Sequence, residues 1–240
     1  MFIYRDVEKL KQFYTRSVFV NGLTFQGCTR LAVKLDFISG LLYKAARATG
    51  ADSFRGVQAQ IGEVIGWRNL FWSLTDAMAG NPDPWIGGTV LPQVRASVAY
   101  RIFATEAYPA VRQIIERVIA SGLIYLPSSA RDLKNPEIEK YLARYVRGSN
   151  GIDHKQRIKI MKLLWDAIGS EFGARHELYE LNYAGSHEVI RLFGLQQAQA
   201  SGSLKQMEAF VDRCMADYDE DGWTNPAYVA NDDFSVLGKD

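Results

Sequence analysis

Apolar residues recur at intervals of three and four along most of the chain and alternate with polar ones almost nowhere, so the pattern predicts helices and little strand. Across residues 24–47, Leu31, Leu35, Ile38, Leu42 and Ala45 mark one buried helix face, and Gly50 is placed to close it. Asp52 or Ser53 can cap the next helix, residues 54–78, where Val57, Ile61, Val64, Phe71, Leu74 and Met78 continue the period. A short turn joins the two, which predicts an antiparallel pair. Trp67, Phe71 and Trp72 fall where core or subunit packing would use them.

Residues 81–92, NPDPWIGGTVLP, hold three prolines and two glycines and read as a loop that no regular element crosses. Helical spacing returns over residues 94–121 through Val98, Ile102, Val111, Ile114, Ile115 and Val118, with Pro109 expected to kink or divide the helix. Residues 123–135 are irregular, with a short extended piece expected. Pro136 is suited to the first position of a helix reaching Val146, RGSNG breaks the chain, and Asp153 caps the next helix. There Ile160, Met161, Leu164, Trp165 and Ile168 form an apolar stripe beside Lys155, Arg157, Lys159 and Lys162, read as a solvated face. A Gly-Ser hinge at residues 200–203 precedes a last amphipathic helix, residues 204–215. The expected fold class is mainly α, a bundle of about six helices.

The 240 residues are 48% hydrophobic, enough for one sizeable core or two small ones. Lys+Arg 28 against Asp+Glu 27 leaves no basic excess, which argues against a nucleic-acid partner. Cys28 and Cys214 stand apart from any metal-ligand spacing, so neither a zinc site nor a disulfide framework is expected, and a reducing cytoplasm fits. No apolar run approaches the length of a membrane span, and the charged MFIYRDVEKL is unlike a signal peptide.

The candidate chemistry lies in residues 171–194, EFGARHELYELNYAGSHEVIRLFG, which carry two of the three histidines. The break YAGSH leaves backbone N–H groups at the start of a second helix, where the dipole favours an electron-rich or anionic ligand. Arg175, Tyr179 and Tyr183 stand at successive fourth positions and would share a face, with His176 and Glu180 on the adjacent one. No histidine has a Glu three residues before it, so the di-iron carboxylate signature is absent and no metal is expected. Ser186 and His187, at the break itself, read either as an N-cap and an exposed first-turn residue or as groups facing a ligand. Residues 217–228 open like a calcium-binding loop, but Tyr228 stands where a bidentate Glu belongs, so calcium is not expected there.

FIYRDVEK, GCTRLAVKLDF, VQAQIGE, WRNLFWSLTDAMAGNPDPW and FGARHELYELNYAGSHEVIR, in this order, resemble the C-terminal domain of the 4-hydroxyphenylacetate 3-hydroxylase family. The loop Tyr183–Arg191 also looks like the turn past the flavin edge in acyl-CoA dehydrogenase-fold flavoproteins. The resemblance implies an acyl-CoA dehydrogenase-like helical domain that forms dimers or tetramers and supplies one wall of a flavin pocket. It implies a two-component monooxygenase that uses reduced FAD, with FMN as the other flavin, delivered by an NADH-dependent reductase. A phenolic small molecule would be hydroxylated beside its hydroxyl group through a flavin C4a-hydroperoxide. On that basis Arg55 and Gln58 hold the flavin, the alternative being a surface ion pair and a helix former. Ser186 and His187 line its reactive edge, Tyr183 and Gly185 of the turn bind it as well, and Arg175 is a further phosphate or ring contact.

The same resemblance divides the chain into a lead-in from an absent β-domain (1–20), a helical flavin-binding and oligomerisation domain (21–216) and an acidic tail (217–240). It implies a C-terminal half, not competent for oxygenation alone, because the family's phenol-binding groups lie largely in the N-terminal and β-domains. Two alternatives stay open: a non-catalytic oligomerisation module, or a fragment of a flavin-dependent acyl-CoA dehydratase or dehydrogenase. In the related dehydratase an iron–sulfur cluster uses a His seven residues before a Cys; here that position is Asn21, so Cys28 is read as a buried small residue.

Overall fold

A computed structural model describes residues 3–216 together with Tyr218–Asp219 and Gly222–Trp223. The described residues form nine α-helices: α1 (Val7–Arg16), α2 (Phe19–Thr49), α3 (Arg55–Gly80), α4 (Val94–Ile119), α5 (Pro136–Tyr145), α6 (His154–Ile168), α7 (Glu171–Asn182), α8 (His187–Ala200) and α9 (Ser203–Met215). The mainly α architecture is as the spacing predicts, with more helices than the six or so expected. By packing, the chain divides into two compact units, residues 1–190 and 191–240. The second contains the rest of α8, then α9, and the pairing of β3 (Tyr218–Asp219) with β4 (Gly222–Trp223). The calcium-like loop and the acidic tail lie largely outside the described residues.

In the first unit the organising element is α2. Its residues Cys28, Leu31, Ala32, Leu35, Leu42, Ala45 and Ala46 are fully buried, because 31 residues of apolar spacing give it a face for α3, another for α4 and a third for α6. Gly50 ends it in the left-handed region at φ 76°, donating its N–H back to Arg47, a conformation that suits glycine. Neither Asp52 nor Ser53 caps α3: both are taken into a 3₁₀ turn, Ala51–Ser53, and Phe54 occupies the cap position without a side-chain bond. The antiparallel α2–α3 pair is joined from Cys28 to Phe71 and Thr75 at one end to Asp36 with Arg68 and Trp72 further along. Phe71 is in the core, whereas Trp67 and Trp72 are half-buried against it.

Residues 81–92 do carry a small ladder: β1 (Asp83–Pro84) pairs antiparallel with β2 (Val90–Leu91), Asp83 opposite Leu91. A two-residue ladder tolerates Pro84 because so few N–H groups are needed. Asp83 accepts a 2.6 Å bond from Val94 N–H and so serves the first turn of α4. Pro109 does not divide α4, which runs continuously to Ile119; only the N–H that would have met Thr105 is lost. Two 3₁₀ turns, Ala120–Leu123 and Ala130–Lys134, take the place of the extended piece expected before Pro136. Asp6, Asn135, Asp153 and Ser170 all cap helices through their side chains. On α6, Ile158, Met161, Leu164 and Ile168 are buried, but Trp165 lies outside the core with its ring over Gly169.

Candidate functional site

The YAGSH turn is held by two helices far from it in sequence. Tyr183 follows α7, and its ring stacks on Tyr179 one turn back, centroids 4.5 Å apart. The Arg30 guanidinium of α2 lies over both rings, 4.5 Å and 5.0 Å from their centroids, and the Tyr183 hydroxyl donates to Gln26 Oε1 at 3.0 Å. From α4, Arg101 Nε donates to the Ala184 carbonyl at 3.0 Å. Gly185 adopts φ 116°, a backbone conformation that favours glycine, and a Cβ there would lie 3.1 Å from the Arg101 guanidinium, which would have to shift by a few tenths of an ångström.

Beneath Arg30 is a charge cluster. Glu180 is 1% exposed, and its carboxylate is bound by Arg30 at 2.5 Å and 3.0 Å and also by Lys34. Burial disfavours the Arg30 charge, but the Glu180 hydrogen bonds and charge outweigh that and raise its pKa. For Lys34 burial wins, and its pKa falls. Lys34 Nζ also lies 2.8 Å from His176 Nδ1, and burial, then the Lys34 charge, lowers the pKa of that imidazole. His176 is thus a partner of the cluster, its ring tilted against Phe172.

A cavity of about 180 Å³ opens behind the turn, lined by Phe19, Val20, Leu23 and Thr24 of α2, Tyr100 and Arg101 of α4, and Tyr183, Ala184 and Gly185. Tyr100 is 2% exposed, and its hydroxyl has no hydrogen-bond partner among the described residues. A Cβ on Gly27 would overlap that hydroxyl and press on the Tyr183 ring, so Gly27 makes room for both. Burial raises the Tyr100 pKa, which keeps the phenol protonated at neutral pH.

Tyr183 and Gly185 line this cavity, whereas Ser186 and His187, exposed where α8 begins, are not among its lining residues. Ser186 Oγ accepts from Val189 N–H at 3.4 Å, the expected N-cap, and His187 Nε2 donates to the Leu181 carbonyl at 2.9 Å. That bond selects the tautomer in which neutral His187 keeps Nδ1 as its acceptor. Arg175 points elsewhere, 79% exposed and 3.8 Å from Glu171, and does not join Tyr179 and Tyr183. Arg55 and Gln58 are exposed on the first turn of α3, where Gln58 donates to the Asp52 carbonyl at 2.9 Å. They adjoin the far end of α2, which at about 1.5 Å per residue lies on the order of 35 Å from Gly27. One chain therefore does not bring Arg55 and Gln58 to the turn.

Periodicity did not single out Arg30, Lys34, Tyr100 or Arg101. The available signal was a pair of cations four apart, Arg30 and Lys34, set among Leu31 and Leu35 of a buried face. Among the described residues, no three His, Cys, Asp or Glu side chains converge as metal ligands, and no helix is long and apolar enough to cross a membrane.

The family model described as 4-hydroxyphenylacetate 3-hydroxylase C terminal matches residues 10–212. Over 237 residues the chain is 60% identical to a 4-hydroxyphenylacetate 3-monooxygenase oxygenase component of Pseudomonas aeruginosa and 56% identical to that of Escherichia coli, covering 99% of this chain and 46% of each relative. It is 49% identical to the oxygenase component of a 4-nitrophenol 2-monooxygenase from Rhodococcus sp, over 97% of this chain and 45% of that protein. The chain thus spans about half the length of the curated relatives it matches. A crystal structure of the oxygenase component of 4-hydroxyphenylacetate 3-monooxygenase complexed with FAD superposes with a TM-score of 0.82 at 26% identity, over 91% of this chain and 45% of that one. An archaeal 4-hydroxybutyryl-CoA dehydratase from N. maritimus, TM-score 0.65 at 17% identity over 86% of this chain and 40% of that one, shares the fold. The mainly α, acyl-CoA dehydrogenase-like bundle expected from the resemblance is the fold observed.

Proposed function

The chain belongs to the 4-hydroxyphenylacetate 3-hydroxylase C-terminal family, and from that membership we propose that it is the helical half of a flavin-dependent monooxygenase acting on a phenol. The observation that carries the reading is the clamped turn Tyr183–Ala184–Gly185, which lines a cavity and leads into the N-terminus of α8. These features suit the polar edge of a flavin: a backbone turn that favours glycine and the positive end of a helix dipole.

Reduced FAD, when bound, supplies the electrons with which dioxygen is activated for hydroxylation. The chain's own residues hold and shield it. Tyr183 and Gly185 fix the turn, Ser186 orders the first turn of α8, and His187, its Nε2 tied to Leu181, is a hydrogen-bonding group for the flavin's reactive edge. Arg55 and Gln58, about 35 Å along α2 from the turn, reach a flavin at this site only from a second copy. The reading accordingly includes a homodimer or tetramer. Val33 and Phe37, exposed one turn apart on α2, favour such an interface. Arg175, exposed on α7, is kept as an outer contact to phosphate. A separate NADH-dependent reductase supplies the reduced flavin, and the reducing cytosol suits Cys28 and Cys214, both free thiols.

Replacing His187 by Ala or Ser186 by Ala is expected to weaken reduced-FAD binding by about tenfold, the loss of one hydrogen bond to a charged or polar group. Unchanged affinity in both folded variants would favour a purely structural module.

A further inference from the structure

Of the twelve residues of α7 only Gly173 and Glu180 are buried, so no buried apolar side chain fixes this helix against its neighbours. Its first turn lies tight on the end of α6, where a Cβ on Gly173 would overlap the Ile168 backbone. Its other end, which leads into the Tyr183–Gly185 turn, is tied to α2 by polar side chains. Gln26, Arg30 and Lys34 stand at successive fourth positions on one face of α2. They meet Tyr183, then Tyr179 with Glu180, then His176, in reverse order along α7. Such a ladder has one register, since a slip of one helical turn, about 5.4 Å, would part every rung. Its middle rung is a fork. Both terminal nitrogens of Arg30 donate to the Glu180 carboxylate, at 2.5 Å and 3.0 Å, its centre lies over the Tyr179 and Tyr183 rings, and its Nε is buried without a partner. A buried ionic group of this kind is a poor source of stability, because apolar side chains of similar volume commonly replace it without loss. What it supplies is orientation: a planar guanidinium engaged at two nitrogens accepts one geometry.

We propose that Arg30 and Glu180 are positioning residues for the flavin-facing turn: they set the register of α7 on α2, and with it the place of Tyr183, Gly185 and the start of α8. The inference rests on the monooxygenase reading and deepens it. Neither residue touches the flavin; both act through the turn.

The test compares the unmodified 240-residue chain with two variants. The triple replacement Arg30→Met, Lys34→Met and Glu180→Leu removes the three charges together and is expected to unfold at a urea concentration close to that of the unmodified chain. Its amides at Val189 and Ile190, which bond Ser186, should nonetheless exchange hydrogen about tenfold faster, while those of α3 stay unchanged. Reduced FAD should bind about tenfold more weakly, as for one hydrogen bond lost at a displaced turn. Arg30→Lys keeps the charge and an ion pair with Glu180 but not the fork, so it should show the same two changes and no rescue; it also carries the test if the triple variant does not fold. Unchanged exchange at Val189 and Ile190 in either folded variant would overturn the proposal. So would full reduced-FAD affinity in a variant whose turn exchanges faster. If the unmodified chain binds no reduced FAD, the flavin reading fails by itself, and the exchange rates alone decide whether Arg30 and Glu180 position the turn.

Discussion

Glu180 is the residue on which the local electrostatics turn. It is buried at 1% exposure between Arg30 and Lys34, and removing one member of such a group leaves charges without compensation. Glu180→Gln is expected to lower unfolding free energy by about 3 kcal/mol in a urea titration; a loss no larger than that of a surface pair would show the cluster to be solvated. His176 adds a pH dependence. Its neighbours are Lys34 and Arg30 from α2 and Glu180 and Phe172 from α7, and burial followed by Lys34 depresses its pKa below 6.5. As pH falls, the unfolded chain takes up the proton first. The stabilisation is therefore complete above pH 6.5 and is lost as pH drops through the lower folded value. Melting temperature should fall on acidification through this window, and His176→Gln should flatten the slope; parallel curves would contradict it. Histidine and glutamate were readable as neighbours on one helix face. Their partners were not, because 142 to 150 residues separate them from α2 and helical periodicity carries no information across that distance.

At the scale of elements, the turn between α7 and α8 depends on backbone conformation. Gly185 stands at φ 116°, where a side chain is strained, with the Arg101 guanidinium close by. Gly185→Ala is expected to cost about 1–3 kcal/mol through backbone strain and to speed hydrogen exchange at Val189 and Ile190, whose amides meet Ser186. Unchanged exchange would mean the turn relaxes without effect. Caps and breaks were legible at Asp153, at Pro136 as the first residue of α5, and at Gly50. They were misread where tertiary packing decides. The α2–α3 connection folded Asp52 and Ser53 into a 3₁₀ turn, and α4 ran through Pro109 because Ala104, Ala107, Tyr108 and Val111 are buried around it. Periodicity placed Trp165 in a stripe, but it could not say where that stripe's edge meets solvent.

For the whole molecule, local sequence specified the class of fold, since helix periods, short connections and the lack of alternation all agree on a helical bundle. It did not specify how the candidate residues converge. Arg55 and Gln58 lie at one end of the α2–α3 hairpin and the YAGSH turn meets α2 near Gly27, a separation that follows from helix length and that, in the proposed reading, a second copy bridges. The proposed reading therefore joins flavin binding to self-association. The direct measurement is an anaerobic titration of the chain with reduced FAD while its mass is followed by light scattering. The account predicts saturable binding by a dimer or larger assembly, weakened by substitution at either Arg55 or His187. A folded assembly that binds no reduced FAD would contradict it.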